Sequence, residues 1–569
     1  MASLLMSLKQ PICISMCVYL WLAVLAVVNT EEISKARDET GSANEETSGL
    51  HILTSRRVKK SPEILQVAAL GRPLYPGMLY DARSDSFIPG VTLWDNKLLT
   101  EDLNSHPQTR TDLKFSSSDS FSSKSNLLDI SSSLKASFLG GLVEVAGSAR
   151  YLRNTKSSTR QSRVTMHYSA TTRFDQLTMS HLGTITYPQV FEQKTATHVV
   201  TGVLYGAQAF MVFDRMLSEQ ENSEHIESEM NLMVRKMSAM NVETHAAFKM
   251  TDSEKKSAEK ISCTYHGDIN PGQSPTTFEE AIKLYKDLPN LLNQQNAVPV
   301  KVWLYPLHLL NSAAARVERE ISTVAAFTLE GIMEDLAEAE RTFNELSGNR
   351  LANKFRDIRE RLTSFYQSMR VYKSMLQSAV GRVLPAIRGG QKEEKSLEDI
   401  LKIHRNSPFR SDQLKLWLND AKQEISVLTA QVNSLEGVNI EEPENVYSSS
   451  SSTQVICLTF TSLKYDDPYL SALQEFVKTD GFDAPEEEQH LVSAASVGKW
   501  FHNSDTIADM MYNIKVLKYL RHMYFVERNN RLVISAISDP LIPGSSLYVF
   551  EQGRLKDKKL QDGLRFILH

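Results

Sequence analysis

Cysteine is scarce: the 569 residues hold four, Cys13, Cys17, Cys263 and Cys457. Two of these lie in an apolar leader and the other two are far apart, which argues against both a disulfide framework and a zinc site. No Cys-x-x-Cys occurs, so dithiol redox chemistry has no support. The chain also lacks a Walker loop, Gly-x-Ser-x-Gly, His-Glu-x-x-His and an Asp-rich calcium loop, and its fourteen histidines are scattered. The expectation is therefore a protein that is not an enzyme and uses no metal or cofactor. A net charge of -5 argues against a nucleic-acid partner. No Asn-x-Ser/Thr sequon occurs either, so glycosylation gives no sign of the compartment.

A long apolar run opens the chain. Lys9 precedes an uncharged run from Ile12 to Val28, and Val28-Asn29-Thr30 offers small residues for cleavage, so residues 1–30 read as a secretory signal. An uncleaved anchor is the alternative, since the run approaches the lower limit of a span of about 17 to 25 residues. No basic stop-transfer cluster follows, which favours secretion over a membrane anchor; a cytoplasmic location follows only if the leader is unused. Residues 31–61 are rich in Glu, Ser and Thr without apolar periodicity and read as disordered. They end in Arg56-Arg57-Val58-Lys59-Lys60, either a convertase site that makes the stretch a propeptide or a solvated linker.

The most informative stretch is Phe138 to Leu152, whose apolar residues fit two incompatible periods. As a helix with the residues before it, Leu127, Ile130, Leu134, Phe138, Leu142, Val145, Ala149 and Leu152 form one stripe. As a strand, Leu139, Gly141, Val143, Val145, Gly147, Ala149 and Tyr151 face one way, with Glu144, Ser148 and Arg150 opposite. A segment able to satisfy both is a candidate for refolding; a helix interrupted by Gly140-Gly141 is the plainer reading.

The same pattern recurs. Ile226, Met230, Met233, Met237 and Met240 mark a helical stripe, and then Val242, Thr244, Ala246, Phe248 and Met250 alternate with Asn241, Glu243, His245, Ala247 and Lys249. Strands are expected around these segments, at 162–172, 197–213 and 260–266, with β structure and turns over Ala69 to Asp95. The two segments run from Ser116 to Arg160 and from Met216 to Lys260, about 45 residues each. A membrane-crossing strand needs about 9 to 11 residues, so each is long enough for a hairpin. His198 and His245 sit beside these strands; His245, on the polar face, is a pH-sensor candidate or simply a solvated side chain.

At this point the sequence resembles a family. ALGRPLYPGMLYDAR, SFLGGLVEVAGSARYLRNTK, SRVTMHYSATT, ATHVVTGVLYGAQAFMVFD, SCTYHGD, PTTFEEA, VPVKVWLYPL and LTFTSLKYDDPYL look like the stonustoxin and verrucotoxin subunits of venomous fish, in order from about Ala69 to near the C-terminus. Those proteins are perforin-like members of the membrane-attack-complex/perforin and cholesterol-dependent cytolysin superfamily. The resemblance implies a bent sheet flanked by two helical clusters that unfurl into transmembrane hairpins, a four-helix domain similar to the focal-adhesion-targeting fold, and a thioredoxin-like domain. Two departures stand out. The superfamily's aromatic-Gly-Thr-His block is reduced at best to Leu204-Tyr205-Gly206-Ala207, and the toxin subunits continue into a PRY-SPRY domain whereas the sequence here ends at His569. The tryptophan-rich undecapeptide of the bacterial cytolysins does not occur.

Further on, Val317, Ile321 and Val324 begin one apolar stripe. Phe355, Ile358, Leu362, Phe365, Met369, Tyr372, Leu376, Val380 and Val383 keep a heptad, and Leu414, Trp417, Ala421, Ile425, Leu428, Val432 and Leu435 supply a further helix, together an antiparallel bundle. After a linker, a buried strand at 454–460, helices at 468–478 and 505–523, and a hairpin of 532–537 with 547–550 fit a thioredoxin-like layout.

The expected architecture is thus multidomain α+β. A bent antiparallel perforin-like sheet with helical clusters spans 62–311, a four-helix bundle 312–440, a linker 441–453, and a non-catalytic thioredoxin-like α/β domain of structural or interface role 454–569. Leu139, Val143, Val145, Val242, Phe248 and Met250 are the membrane-insertion candidates, and Gly140, Gly141 and Gly147 the hinge candidates or, alternatively, close-packing positions. Two functions of different class fit. One is a secreted protein that oligomerises with itself or a homologous subunit on a target-cell lipid membrane and forms cytolytic pores; the other is a non-lytic interaction or scaffold protein that keeps the fold.

Overall fold

The structure is a computed structural model. It describes residues 64–178, 184–218, 220–239, 249–448, 454–482, 493–494, 498–524 and 530–564; the leader and the acidic stretch after it lie outside these.

The longest strand is the spine of the first sheet. It contains β1 (Leu65–Ala68), β2 (Met78–Asp81), β3 (Ser86–Thr92), β4 (Leu103–Ser116), β5 (Gln161–Leu177), β6 (His198–Met216), β7 (Ser262–Gly267) and β8 (Val298–Pro306). β6 runs antiparallel to β5 along most of its length, while its other edge pairs with β8 from His198 to Gly206 and with β7 from Ala209 to Asp214. β6 is buried on both faces, which is why its sequence reads as a nearly continuous apolar run. Phe210 and Val212 enter one core; Ala209, Met211 and Phe213 enter the other.

The sheet is kinked along one line. Register shifts between Pro107 and Arg110 in β4, Thr171 and Arg173 in β5, and Leu204 and Tyr205 in β6 lie across from one another, and bulges of this kind bend and twist the strands that carry them. At the kink β5 and β6 approach so closely that a Cβ on Gly206 would sit 2.1 Å from the Ala170 carbonyl oxygen. Only glycine fits there.

The strand β4 was not anticipated from the sequence. It is polar, mostly exposed and contains Pro107, and it is held by main-chain bonds to β5 at the edge of the sheet, where side-chain burial contributes little signal.

Helices fill the connections. Between β4 and β5 lie α1 (Phe121–Leu127) and α2 (Ser132–Leu139); between β6 and β7 lie α3 (Ser223–Ser238) and α4 (Asp252–Ala258); α5 (Phe278–Leu291) precedes β8. Then come α6 (Thr323–Ser347), α7 (Arg356–Arg388), α8 (Lys395–Asn406) and α9 (Ser411–Asn433), the helical bundle. The heptad of α7 from Ile358 to Val383 is buried, with Phe365 stacked on Trp417 of α9 at 4.3 Å and Tyr372 on Phe409 at 4.0 Å. The expected start of α6 is corrected: Val317 and Ile321 precede the helix, and Val324 is 75% exposed. Ser322 caps the helix, accepting from Ala325 N, and the buried stripe starts at Ala325 and Ala326.

The last sheet has the order β13-β12-β10-β11-β9, from β9 (Asn439–Ile440), β10 (Gln454–Phe460), β11 (Asn530–Ala536), β12 (Ser545–Glu551) and β13 (Arg554–Asp557). The expected hairpin of 532–537 with 547–550 is corrected, because both strands pair with β10, β11 parallel and β12 antiparallel. The most apolar strand takes the centre and separates them. Between β9 and β10 lies α10 (Pro443–Tyr447), and after β10 come α11 (Pro468–Lys478) and α12 (Ser504–Tyr524). The stretch expected as a plain linker therefore contains α10, whose Val446 joins Val455 and Cys457 in the core on one face of β10. Cys457 is buried there and burial pushes its thiol up to about 12; Cys263 is likewise buried and its thiol pushed up.

Candidate functional site

Two helical segments enter the sheet at the same end. Ser116 at the end of β4 pairs with Thr165, Gln161 at the start of β5 pairs with Met216 at the end of β6, and Ser262 at the start of β7 pairs with Asp214. The first segment, 117–160, thus leaves and rejoins the sheet beside the second, 217–261. These bounds fall on the two segments singled out by their double periodicity.

The first segment is not one helix. Ser120 caps α1, accepting from Ser123 N, and Ser131 caps α2, accepting from Leu134 N. Asp129, at φ 53°, breaks the chain between them. After α2, Gly141 turns at φ 74°, residues 142–146 are irregular, and a 3-10 helix runs over Gly147–Arg153. The members of the apolar stripe are buried or half-buried, but they are spread over three separate elements and the irregular connections between them, which carry Ile130, Leu142 and Val145. Leu139, Val143 and Val145 are all buried in the core shared with β6. Tyr151 stacks on Phe210 of β6 at 4.2 Å and reaches Thr165 Oγ1 of β5 at 3.2 Å.

The second segment packs on the opposite face. Ile226, Met230, Met233, Val234 and Met237 of α3 meet Val164, Met166, Met211 and Phe213 of the sheet. Thr251 and Glu254 form a capping box at α4. Met250 is half-buried against this core; Val242, Phe248 and His245 lie outside the described residues.

The three hinge candidates separate. Gly141 and Gly147 occupy the left-handed region, at φ 74° and 55°. Gly140 does not; it lies under α7, where a Cβ on Gly381 would sit 2.5 Å from the Gly140 oxygen. At Gly147 a Cβ would strike Asp268 Oδ1 at 2.3 Å, because that carboxylate accepts from Ser148 N at 2.8 Å, Ser148 Oγ at 3.0 Å and Gln208 N at 2.9 Å. It ties the 3-10 helix to β6, and burial raises its pKa.

Sequence reasoning missed the buried charges. Arg163 of β5 forks onto Asp214, its cross-strand partner on β6, at 2.7 and 2.8 Å, and reaches Asp119 of the first segment at 2.7 Å. Lys124 of α1 also meets Asp119, at 2.8 Å, and donates to the Asn154 oxygen at 2.6 Å. The available signal was a charged pair, Arg163 and Asp214, at the ends of two apolar strands. Among the described residues no group of three or more His, Cys, Asp or Glu is placed to hold a metal, and no helix is long and apolar enough to cross a membrane.

A kinked antiparallel sheet with a helical segment inserted at one end between each of two strand pairs is a perforin-like arrangement. The family description "SNTX, MACPF/CDC-like domain" matches residues 64–291, "Stonustoxin helical domain" residues 331–426, and "Thioredoxin-like SNTX domain" residues 439–562. Stonustoxin subunit alpha of Synanceia horrida is 35% identical over 501 residues, 86% of this chain and 71% of that one, and neoverrucotoxin subunit beta of Synanceia verrucosa is 35% identical over 505 residues, 86% and 70%. The solved stonustoxin structure superposes with a TM-score of 0.69 at 29% identity, covering 88% of this chain and 70% of that one. The chain belongs to the stonustoxin/verrucotoxin family, a family of toxin subunits and not of enzymes.

Proposed function

We propose that this chain is a secreted pore-forming subunit that assembles on a lipid membrane, with itself or a homologous subunit, and converts segments 117–160 and 217–261 into transmembrane β-hairpins. The observation that carries this reading is the placement of the two segments: same end of one sheet, opposite faces, between antiparallel strands that each hairpin would extend. Extending a strand into lipid leaves its N–H and C=O groups unsatisfied unless a neighbour pairs with them, so insertion requires many subunits closing a barrel. Until then Leu139, Val143, Val145 and Met250 must be kept from water, and each is buried or half-buried. Relatives support the class and the partner: cytolytic toxin-alpha of Scorpaena plumieri is 36% identical over 423 residues, and stonustoxin has alpha and beta subunits.

Dye release from liposomes tests this with the full chain, alone and mixed with a homologous subunit. Ser148→Cys with Asp268→Cys replaces side chains 3.0 Å apart by a tether between the 3-10 helix and the end of β7. Leakage should be abolished by the tether and restored by reductant. No leakage from any membrane, with or without the second subunit, contradicts the reading and leaves a scaffold that keeps the fold.

A further inference from the structure

The two segments are not held alike. The first is gripped by the helical bundle as well as by the sheet. Gly381 of α7 rests directly on Gly140, and Gly140 in turn is so close to Val380 and Leu384 that its own Cβ would lie 3.1 and 3.3 Å from their side chains. Two turns beyond Gly381 along α7, Arg388 is buried and its guanidinium reaches four residues. It donates to Ser133 O and Oγ at 2.9 and 2.8 Å, to Ser137 Oγ at 2.8 Å, and to Asp85 Oδ2 and Arg83 O at 3.0 Å each. Lys135 of α2 pairs with Glu330 of α6 at 3.6 Å with both side chains under a tenth exposed, and the Phe121 amide donates to Glu334.

The second segment is held differently. Its core is built with β5, β6, β7 and α5, and contains no residue of the bundle. Its polar ties run to the sheet and to the first residue of the first segment: Arg215 to Ser257 at 2.9 Å, Arg235 over the Phe115 ring at 5.2 Å, and Asn231 to Ser117 at 3.0 Å.

We propose that the bundle is an interlock on the first segment alone, so that the second segment can leave the sheet while the bundle is docked and the first cannot. This rests on the reading that both segments leave the sheet. Its physical basis is that α2 cannot unwind without pulling Ser133 and Ser137 from Arg388, which would leave the buried Nη2 without the partners it has in the resting form and take Ser137 from the Arg388–Asp85 pair, a costly state in a dry interior.

Hydrogen exchange on the full soluble chain tests the interlock without any membrane. Two variants loosen the grip differently. Arg388→Lys keeps one charge for Asp85 but cannot reach all its partners, and Gly381→Ala forces α7 away from Gly140. In both, amides of 132–139 should exchange faster by about tenfold or more, with 223–238 unchanged and β10 serving as the folding control. A rise of equal size in 223–238, or no rise in 132–139 in either variant, overturns the interlock. Dye release by the unaltered chain is read separately: its failure contradicts pore formation, not the exchange result.

Discussion

Arg163 projects from the start of β5 with 2% of its side chain exposed, and its guanidinium is shared between Asp214 and Asp119. Replacing it by methionine leaves Asp214 without this partner and Asp119 with Lys124 at 2.8 Å and Arg341 at 3.7 Å. Loss of one member of a buried ion pair costs about 3–5 kcal/mol; chemical denaturation of Arg163→Met should show a drop of that order, and a change below about 1 kcal/mol would mean that Lys124 suffices. Gly206 is a purely steric case. With the Ala170 oxygen 2.1 Å from where its Cβ would be, Gly206→Ala must spread β5 from β6 at the kink, and overpacking of this kind costs about 1–3 kcal/mol. Neither Arg163 nor Gly206 announces itself by spacing. A buried charge reads as a strand end, and a glycine required for close approach looks like any other glycine until the strands are paired.

The glycines of the first segment make the argument at the scale of the element. Gly141 turns at φ 74° with open space around it, so Gly141→Ala meets no neighbour and bears only the conformational penalty, about 1–2 kcal/mol for a non-glycine residue in the left-handed region. That penalty falls on the resting form and disappears in an extended strand. The variant should therefore unfold more easily in solution and, if the segment becomes a strand, release dye faster than the unaltered chain; slower release would place the turn in the inserted form. Double periodicity made both segments legible, because a stretch whose apolar residues fit two periods stands out from neighbours that fit one. It did not reveal that the first is broken into α1, α2 and a 3-10 helix, since Asp129 and Gly141 end helices through backbone angles that periodicity ignores. β4 was illegible for the opposite reason: an edge strand held by main-chain bonds needs no apolar alternation. The β11 and β12 strands were found but paired wrongly, as local pattern does not tell which strand a third one will separate.

The whole molecule should be acid-sensitive through three histidines. His167, stacked on Phe210, His198, bonded to Thr197, and His404, bonded to Tyr372, are all pushed by burial down to about 4. In the unfolded chain each takes a proton near its usual 6.5. Between those values the unfolded state binds more protons, so stability falls as pH falls through that window. Thermal unfolding at pH 5 should show a lower midpoint than at pH 7, and an unchanged or higher midpoint would mean that other groups offset the histidines. Because His167 sits in the sheet and His404 in the bundle, this loss is spread over the fold rather than confined to one segment.

Whether the first segment leaves a buried irregular fold and becomes a membrane-spanning strand can be read residue by residue. Single cysteines from Leu139 to Tyr151, each carrying an environment-sensitive fluorophore, can be followed on vesicles containing a lipid-borne quencher, with buried Cys263 and Cys457 left in place. A period of two is expected on membranes, with probes at Leu139, Val143, Val145 and Ala149 in lipid and those at Glu144, Ser148 and Arg150 in water. A helical period, or probes that remain as they are in solution while dye escapes, would contradict it.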